Sequence, residues 1–456
     1  MDYHARTVDG QLVDLMAGLP AVSIEGAKGV GKTATARRLV TDWVALDRDR
    51  TRQVVAADPE IVLARPTPLL IDEWQLVPSV WDVVRRAVDE DRTAGRFLLT
   101  GSALPPAQAR IHSGAGRIVR LMMRPMTLPE RHVCTPTVSL DQLLSGSRGP
   151  IAGRCQLRLA DYTEEIIASG FPGIRQDPPS YRKDTLASYL DEAVERDIPE
   201  LGEAIRRPHA LKAWLTAYAA ASATTTAYTQ ILDSATAGEP NKPARNTVAG
   251  YRELLKRMWI LDPLEAWTPV LNPLKRLAQA PKHHLVDPAL AASLVGATTD
   301  SLLRADGPHD TRPEGTLLAA LFESLAVMTV RVLAQSADAR VFHLRTQGGE
   351  HEVDIIVERP DHKVLAIEVK LSAAPGPSAS KHLSWLEHLI GADLLDKAII
   401  TTGEFAFRQK DGTAIIPLGL LGAHEPAASR ANLQHCGASD AKRLRIPSSP
   451  SETVPS

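Results

Sequence analysis

The sequence has little cysteine, few aromatic side chains and no long apolar run. Its three cysteines form no C-x-x-C pair, which excludes a disulfide framework and disfavours a structural zinc site. Aromatic residues make up only 4%, so aliphatic side chains must supply most of the core. No stretch reaches the roughly 18 apolar residues of a membrane-spanning helix, and the polar N-terminus lacks the apolar part of an export signal. These absences predict a cytoplasmic protein without a membrane partner.

The charge is nearly balanced, with 52 Lys and Arg residues against 54 Asp and Glu residues. This balance excludes a wholly basic nucleic-acid coat protein, although it allows a local basic patch. Hydrophobic residues make up 44% of the 456-residue chain, which is typical of a globular protein. The length predicts about two to four domains.

The first 130 residues show strands alternating with helices. Short apolar runs at 20–26, 68–73 and 96–103 are typical of buried strands. The stretch TATARRLVTDWVAL, at 33–46, has apolar residues at steps of three and four, which predicts a helix after the first strand. The fold class is therefore α/β, with a parallel sheet at the N-terminus.

A glycine-rich motif lies between the first strand and this helix. It matches G-x-x-x-x-G-K-[ST] and consists of Gly26, Ala27, Lys28, Gly29, Val30, Gly31, Lys32 and Thr33. In such a loop the backbone N–H groups point at phosphate oxygens. Lys32 would reach the β- and γ-phosphates, and the Thr33 hydroxyl would ligate Mg²⁺. The motif predicts an ATP site, because it lies between a strand and a helix as the chemistry requires.

A second apolar strand ends in an acidic pair, Asp72 and Glu73, and Asp72 follows Lys32 by 40 residues. At this position Asp72 would hold Mg²⁺ through water, and Glu73 would orient or deprotonate the attacking water. The alternative is an ordinary acidic strand end, which the nearby phosphate loop disfavours.

Two weaker signals accompany the nucleotide motif. Thr100 ends the third strand, where it could sense the γ-phosphate or simply mark a strand-to-turn junction. Arg117 is a candidate arginine finger, acting within the chain or in a neighbouring copy, and Arg120 competes for that role. A solvated arginine is the equal alternative.

A carboxylate–lysine pattern occurs near the C-terminus, where two predicted strands carry Asp354, Glu368 and Lys370. Period two places Glu368 and Lys370 on one face, and Asp354 on the adjacent strand could share it. Asp354 and Glu368 could bind Mg²⁺ for phosphodiester hydrolysis with Lys370, and Glu323 on the preceding helix could add a carboxylate. The pattern is short, so a purely structural hairpin stays open. The surrounding helix–strand–strand–strand–helix–strand order is that of the PD-(D/E)xK nuclease fold, which is restriction-endonuclease-like.

The region between these sites is predicted to be helical. Near 243–285 the predicted order is helix, turn, helix and hairpin, which suggests a winged helix. The residues at 242–284 are predominantly basic, with three acidic residues against Lys242, Arg245, Arg252, Lys256, Arg257, Lys275, Arg276 and Lys282. Contact with a DNA backbone and a solvated helix face are equally compatible with this excess.

The chain resembles bacterial P-loop ATPases of the AAA_14 group joined to a DUF4143 domain. The resemblance rests on VSIEGAKGVGKTATA, LLIDEWQLVPSVWDVVRRAV, RFLLTGSA, YLDEAVERDIPEL, NTVAGYRELLKRMWILDPLEAW, and EVDIIV with AIEVKLS. It implies ATP binding through the motifs above, a winged helix, and a nuclease-like C-terminal fold to which Asp354, Glu368 and Lys370 map. Arg196, in VERDIP, could act as a second sensor, or it could form a local ion pair.

These readings predict five segments: an AAA-like P-loop ATPase domain at 1–130, an insertion at 131–160, a helical and winged-helix region at 161–300, a DUF4143 nuclease-like α/β domain at 301–423, and a disordered tail at 424–456. The first functional hypothesis is a Mg²⁺-dependent ATPase coupled to a nuclease-like domain that cleaves or binds DNA. The alternative is a nucleotide-gated scaffold or regulator with an inactive nuclease fold, whose partners are DNA, another protein or a second copy of the chain.

Overall fold

The structure is a computed structural model, and it describes residues 3–104, 114–200, 205, 207–237, 243–268, 279–305 and 317–423. The tail at 424–456, which the sequence predicts to be disordered, lies outside the described residues. So do Lys242, Lys275 and Arg276 of the basic segment.

The N-terminal unit is a five-stranded parallel sheet flanked by helices. Its strands are β1 (Ala21–Glu25), β2 (Asp42–Ala45), β3 (Leu69–Asp72), β4 (Phe97–Gly101) and β5 (Val119–Met122). Its helices are α1 (Thr7–Gly18), α2 (Lys32–Ala36), α3 (Asp49–Ala57) and α4 (Ser79–Glu90). The strand order β2-β3-β4-β1-β5 places β4 between the strand that precedes the phosphate loop and the strand that ends in Asp72. The predicted α/β class and parallel sheet are confirmed.

The helix predicted over 33–46 is wrong over most of its length. The helix α2 ends at Ala36, and the chain then forms β2, which pairs in parallel with β3. Val44 and Ala45 are buried in that pairing. Apolar residues lie on both sides of the turn that follows α2, and together they imitate the helical spacing of three and four. The pairing of β2 with β3 outweighed this local pattern.

The segment at 131–160 joins the C-terminal sheet. It contains β6 (Val138–Ser139), α5 (Leu140–Leu144) and β7 (Gly153–Arg154). The strand β7 pairs with a strand of the C-terminal sheet at Phe405, and β6 pairs with the last described strand at Leu421. The leucines of α5 are buried, so this part of the predicted insertion at 131–160 belongs to the packed C-terminal unit.

The middle region is helical. Its helices are α6 (Leu159–Ile167), α7 (Pro172–Gln176), α8 (Pro179–Glu192), α9 (Ile198–Glu200), α10 (Pro208–Ala220), α11 (Tyr228–Ala235), α12 (Arg245–Arg257), α13 (Pro288–Leu294) and α14 (Thr299–Ala305). Several begin with proline, whose fixed φ suits the first helical position. After α12, antiparallel bridges join Leu261 to Leu285 and Leu264 to Lys282. The extended chain continues to the edge of the C-terminal sheet, where the Trp267 N–H donates to His343.

The C-terminal unit is a mixed seven-stranded sheet with two helices. The helices are α15 (Leu317–Ser336) and α16 (Lys381–Ile390). Its own strands are β8 (Arg340–Arg345), β9 (Glu352–Glu358), β10 (Val364–Val369), β11 (Leu394–Thr401), β12 (Phe405–Arg408) and β13 (Ala414–Pro417), and β14 (Leu421–Gly422) follows beside it. The strand order is β7-β12-β13-β11-β10-β9-β8. The strands β8, β9 and β10 are antiparallel, whereas β10, β11 and β13 run parallel. The element order from α15 to β11 is the predicted helix–strand–strand–strand–helix–strand order.

The helix α15 is long and apolar enough to cross a membrane, and among the described residues it is the one helix with that property. However, 67% of its apolar window is buried inside the protein. It packs against α1, α6, α13 and β8, so its apolar composition is explained by its position in the core. This central position also brings Glu323 from α15 to the C-terminal sheet.

Candidate nucleotide site and C-terminal carboxylate cluster

The phosphate loop has the backbone that its sequence predicts. Gly26 and Gly31 have φ angles of 155° and 103°, in a region that favours glycine. A β-carbon at Gly26 would lie 2.1 Å from the Met123 carbonyl oxygen, so no other residue fits there. The loop therefore curls tightly between β1 and α2, which exposes its N–H groups to an anion.

Lys32 is buried, with 4% of its surface exposed, and its Nζ donates to the carbonyl oxygens of Gly26 at 2.8 Å and Ala27 at 2.9 Å. Burial lowers the pKa of Lys32 to about 8, although Glu73 and Asp72 partly oppose the shift. The ammonium is thus held by neutral acceptors, which a phosphate could replace.

A hydroxyl–carboxylate network joins the loop to β3 and β4. The Thr33 hydroxyl donates to Asp72 Oδ1 at 2.7 Å, and the Thr100 hydroxyl donates to the same oxygen. Burial raises the pKa of Asp72, and these two hydrogen bonds partly offset the rise. Thr33 and Asp72 are adjacent oxygen donors of the type that Mg²⁺ prefers, so the residues present fit this metal.

Glu73 follows β3 in a left-handed conformation, with φ of 54°. Its Oε2 accepts hydrogen bonds from the Ser102 hydroxyl at 2.6 Å and from Gln75 Nε2. Gln75 also donates to Ser102 at 3.0 Å, and the Glu73 N–H donates to Thr100 at 3.3 Å. Sequence reasoning missed Gln75. Its position two residues after Glu73 was the available signal.

The middle region packs directly on the phosphate loop. Lys28 Nζ lies 2.8 Å from Asp197 Oδ1, where a π-helical turn, Ala193–Asp197, extends α8. β-Carbons built on Gly29 and Gly31 would lie 3.7 Å from the Phe171 ring and from Pro172, respectively. The loop that begins α7 therefore covers the phosphate loop.

A buried arginine braces the loop from the other side. Arg6 donates to the Val30 carbonyl at 2.8 Å and to the Arg124 carbonyl at 2.7 Å, and it pairs with Glu130 at 3.4 Å. Sequence reasoning missed Arg6, because nothing in MDYHARTVDG marks it as a partner of the phosphate loop.

The candidate arginines have other partners. Arg117 Nε lies 2.8 Å from Asp89 Oδ1 at the end of α4, and Arg120 Nε lies 3.2 Å from Glu25 Oε1. Arg196 pairs with Glu200 at 3.2 Å. In the VERDIP stretch, Asp197 contacts the phosphate loop through Lys28, whereas Arg196 pairs with the nearby Glu200. The arginine-finger role of Arg117 stays a prediction.

The C-terminal carboxylates and lysine are brought together as their spacing suggests. Lys370 Nζ lies 2.6 Å from Glu368 Oε2 and 3.8 Å from Asp354 Oδ2. The Val369 N–H donates to Asp354 Oδ2 at 2.9 Å. The three predicted side chains therefore share one cluster, with Asp354 on β9, Glu368 on β10 and Lys370 directly after β10.

A second lysine lies in this cluster. Lys282 Nζ is 2.7 Å from Glu352 Oε1 and 2.9 Å from an oxygen of each of two further carboxylates, those of Asp354 and Glu323. Burial opposes its charge, but these carboxylates outweigh burial and hold the pKa of Lys282 well above its usual range. Lys282 is 1% exposed, so counting it in a phosphate-binding surface was wrong.

The carboxylates differ in their ionisation. Burial alone would raise the pKa of Asp354, but Lys282 and Lys370 outweigh it and hold the pKa below its usual range. Burial raises the pKa of Glu323 to about 8, and burial together with Asp354 raises the pKa of Glu368. Asp354 therefore favours its charged form, whereas Glu323 and Glu368 keep their protons to a higher pH than free carboxyl groups do.

The cluster does not fit the magnesium that a nuclease fold implies. Among the described residues, no group of three or more His, Cys, Asp or Glu side chains is arranged to hold a metal ion. The ammonium of Lys282 lies among the oxygen atoms that such an ion would need. The predicted metal role of Asp354 and Glu368 is thus at odds with this arrangement.

The N-terminal unit has the features of a P-loop ATPase. These are a phosphate loop, an acidic pair at the end of β3 and a parallel sheet. The family of AAA domains called AAA_14 matches residues 19–132, and the domain of unknown function DUF4143 matches residues 318–421. The chain therefore combines an ATP-binding AAA domain with a DUF4143 domain. A further domain of unknown function, DUF8612, matches residues 159–301 and coincides with the middle region.

Two relatives are uncharacterised proteins, Mb2031c of Mycobacterium bovis and Rv2008c of Mycobacterium tuberculosis. Each is 24% identical over 405 residues, which span 87% of this chain and 80% of the relative. The solved Walker-type ATPase PABY2304 of Pyrococcus abyssi is 15% identical, covers 64% of this chain and 96% of its own, and has a TM-score of 0.38. The Aeropyrum pernix ORC2 protein, solved with ADPNP and ADP, is 15% identical, covers 66% of this chain and 95% of its own, and has a TM-score of 0.28. Both structural likenesses are too distant to carry a functional argument.

Proposed function

We propose that this protein is an ATP-hydrolysing switch whose output is DNA contact, and that its nuclease-like domain is catalytically silent in the arrangement described. The observation that carries the proposal is a continuous series of contacts from the phosphate loop to Lys282 in the carboxylate cluster. Two further observations support it. The side chains of the nucleotide site form a hydrogen-bond network, and Lys282 neutralises carboxylates of the cluster.

The nucleotide site supports hydrolysis through four side chains. Lys32 would exchange its carbonyl partners for the β- and γ-phosphates. Thr33 and Asp72 would hold Mg²⁺, which when bound neutralises phosphate charge and orients the terminal phosphate. Glu73 would orient or deprotonate the attacking water.

Neighbouring side chains hold one carboxylate oxygen of Glu73. Its Oε2 is shared by Ser102 and Gln75, so that oxygen is engaged in the described arrangement. Thr100 lies between Asp72 and the Glu73 backbone and is well placed to report a bound phosphate. Release of Glu73 would then depend on nucleotide state, which is what a switch requires.

The contacts beyond the phosphate loop support transmission. Phe171 and Pro172 cover the loop, and the residues just before them are held by the buried Asp287, which accepts from the Ser169 hydroxyl at 2.8 Å and from the Gly170 N–H at 2.7 Å. Asp287 and Lys282 are five residues apart on one extended segment. A shift of the phosphate loop would thus reach the carboxylate cluster through packed and hydrogen-bonded neighbours.

The middle region supplies the proposed output. The helices α10, α11 and α12 are followed by antiparallel extended segments, the order expected of a winged helix. On α12, Arg245 is exposed, and Arg252 and Lys256 are partly exposed, which suits phosphate contact. Arg257 is buried and bonded to the Leu104 carbonyl, so it does not belong to this surface.

The proposed domain division follows the predicted one with a single change. We group 131–160 with 301–423, because β6 and β7 pair with C-terminal strands. The proposed compartment is the cytoplasm, because three cysteines without a C-x-x-C pair fit a reducing environment.

The test uses the purified full-length protein. Phosphate release would be measured with Mg²⁺ and ATP, and the anisotropy of labelled duplex DNA would be followed with ATP, with ADP and without nucleotide. We expect ATP hydrolysis, nucleotide-dependent DNA affinity and no cleavage of plasmid DNA. The triple variant Arg245→Ala, Arg252→Ala, Lys256→Ala should lose DNA binding and keep hydrolysis, whereas the control Arg86→Ala, at an exposed arginine of α4, should keep both.

Four outcomes would contradict the proposal. Absence of hydrolysis would remove the ATPase role. DNA affinity that ignores nucleotide would remove the switch. Plasmid cleavage that is lost in Glu368→Ala/Lys370→Ala would establish the active nuclease of the first hypothesis. Absence of DNA binding in every nucleotide state would direct the search to protein partners.

A further inference from the structure

Two of the three cysteines meet where the segment at 131–160 joins the C-terminal sheet. The Sγ atoms of Cys134 and Cys155 lie 3.5 Å apart as free thiols. Cys155 is 1% exposed, whereas Cys134 is partly exposed. A disulfide bond is about 2.05 Å long, so the sulfur atoms are only about 1.5 Å from bonding distance.

Backbone hydrogen bonds hold the chain beside each cysteine. The Thr137 N–H donates to the Leu420 carbonyl at 3.0 Å, and the Cys155 N–H donates to the Glu404 carbonyl at 2.7 Å. A β-carbon built on Gly153 would lie 2.0 Å from Thr137 Oγ1, so the two arms of the segment lie side by side. The fold therefore presents the two thiols to each other from adjacent arms.

The surroundings leave room for a bond between the sulfur atoms. A β-carbon built on Gly419 would lie 3.1 Å from Cys155 Sγ and 3.2 Å from Cys134 Cβ, so the missing side chain provides the space in which the cysteines meet. The Tyr162 hydroxyl lies 3.5 Å from Cys155 Sγ and accepts from the Gly419 N–H at 3.1 Å. Within the described ranges the pair belongs to no group of three or more metal-ligating side chains, so zinc does not account for it.

We propose that Cys134 and Cys155 form a redox modification site, at which a low-molecular-weight disulfide converts the two thiols into one reversible disulfide that locks both arms of the segment at 131–160 against the C-terminal sheet. The thiols are the resting form in a reducing compartment, where disulfides form transiently. This inference goes beyond the proposed function and does not depend on it.

The exchange begins at Cys134, because its sulfur is the more accessible of the two. The Cys134 thiolate attacks one sulfur atom of the small disulfide, and the other sulfur atom leaves as a thiolate. The Cys155 thiolate then attacks Cys134 Sγ, which forms the internal disulfide and releases the second small thiolate. Two electrons pass from the cysteines to the small disulfide, and the two protons that the cysteines lose convert the released thiolates into thiols.

The first attack should be slow. Burial and the hydrogen bond with Cys155 raise the pKa of Cys134 to about 11, so the attacking thiolate is scarce at pH 7. The site therefore responds to sustained rather than brief oxidation, and the assay has to run for hours with the small disulfide in excess.

The experiment uses the full chain carrying Cys436→Ser, so that only the two paired thiols remain. The protein would be incubated with 2-hydroxyethyl disulfide, free thiols would be alkylated, and the products would be identified by intact mass. We expect the loss of two hydrogen atoms without a bound small thiol. Dithiothreitol should restore both thiols.

Two single variants in the same background test the order of the steps. Cys155→Ser should stop at one mixed disulfide on Cys134, because the resolving thiol is absent. Cys134→Ser should be modified at least about tenfold more slowly, because its remaining thiol is buried. The inference is overturned if both thiols of the parent protein stay free, or if each keeps a separate small-thiol adduct.

Hydrogen exchange tests the locking of the segment. In the oxidised protein the Cys155 amide should exchange at least about tenfold more slowly than in the reduced protein, because the disulfide opposes the opening of β7 from β12. Cys134→Ser, treated in the same way, should show no change. Equal exchange in the oxidised and reduced parent protein would contradict the locking role.

Discussion

Two buried lysines, one at each site, show opposite electrostatic behaviour. Lys32 donates to neutral carbonyl oxygens and has its pKa lowered to about 8, whereas Lys282 contacts three carboxylates and has its pKa raised. Both are almost fully buried, so burial alone does not distinguish them. The difference lies in what surrounds the charge. A lysine held by carbonyls can accept an anion, whereas one saturated by carboxylates already has its counterions.

The largest effect is expected at the site of Lys32, where Glu73 is the carboxylate that would act on water. Glu73→Gln should retain ATP binding and lower kcat by about 100-fold to 10 000-fold, because the amide cannot take a proton from water. ATP affinity by fluorescence titration and phosphate release would be measured together. Glu60→Gln, an exposed carboxylate in the same unit, should hydrolyse ATP like wild type. Normal turnover in Glu73→Gln would show that Glu73 is not the base.

The ion pairs of Lys282 are expected to stabilise the fold. Lys282→Met should lower the free energy of unfolding by about 3–5 kcal/mol at pH 7, because it leaves buried carboxylates without their cation. Urea denaturation would measure the loss, and Lys370→Met, whose ammonium is partly exposed, should lose less. An unchanged urea midpoint would mean that the buried ion pairs do not stabilise the fold.

The sign of the pH dependence follows from Asp354. Its pKa is lowered in the folded protein, so its stabilising contribution is present above its unfolded pKa of about 3.9 and is lost as pH falls through the lower folded value. The raised pKa of Lys282 gives a contribution present below its unfolded value of about 10.4 and lost only above it. The difference between wild type and Lys282→Met should therefore shrink in acid and persist at pH 9.

Lys32 should respond to pH in the range where Lys282 does not. Its charged form predominates below its pKa of about 8, so the affinity for ATP should fall about tenfold between pH 7 and pH 9. Binding would be followed with a fluorescent ATP analogue over this range. Lys32→Arg keeps its charge throughout, so its weaker binding should be flat with pH. A flat profile in wild type would contradict the lowered pKa.

The nucleotide site could be read from the sequence because its parts are local. The glycine loop is contiguous, it follows one strand and opens one helix, and the acidic pair ends another apolar strand. Gln75 and Arg6 were missed, since a hydrogen bond to Glu73 or to the Val30 carbonyl leaves no periodic signal. The helix predicted over 33–46 failed for a related reason, because β2 exists only through its pairing with β3.

Only part of the C-terminal cluster could be predicted from the sequence. Asp354, Glu368 and Lys370 share a hairpin, so period two placed them together. Lys282 precedes Asp354 by 72 residues and lies in a run of basic residues, where charge patterning indicates a solvated or phosphate-binding surface. Its burial depends on how the middle region packs on the C-terminal sheet, which no local pattern encodes.

The smallest effect is expected where the middle region touches the phosphate loop through solvent-exposed charges. The Lys28 side chain is 52% exposed, so its ion pair with Asp197 should contribute only about 0.2–1 kcal/mol. In a double-mutant cycle, Lys28→Ala and Asp197→Ala should couple by that amount in ATP binding, a factor of at most about five. Arg196→Ala, which removes the neighbouring pair with Glu200, should show no coupling to Lys28→Ala. A coupling well above this range would mean that nucleotide binding buries the Lys28–Asp197 contact, and it would make this pair, together with Phe171, a main route from the phosphate loop to the middle region.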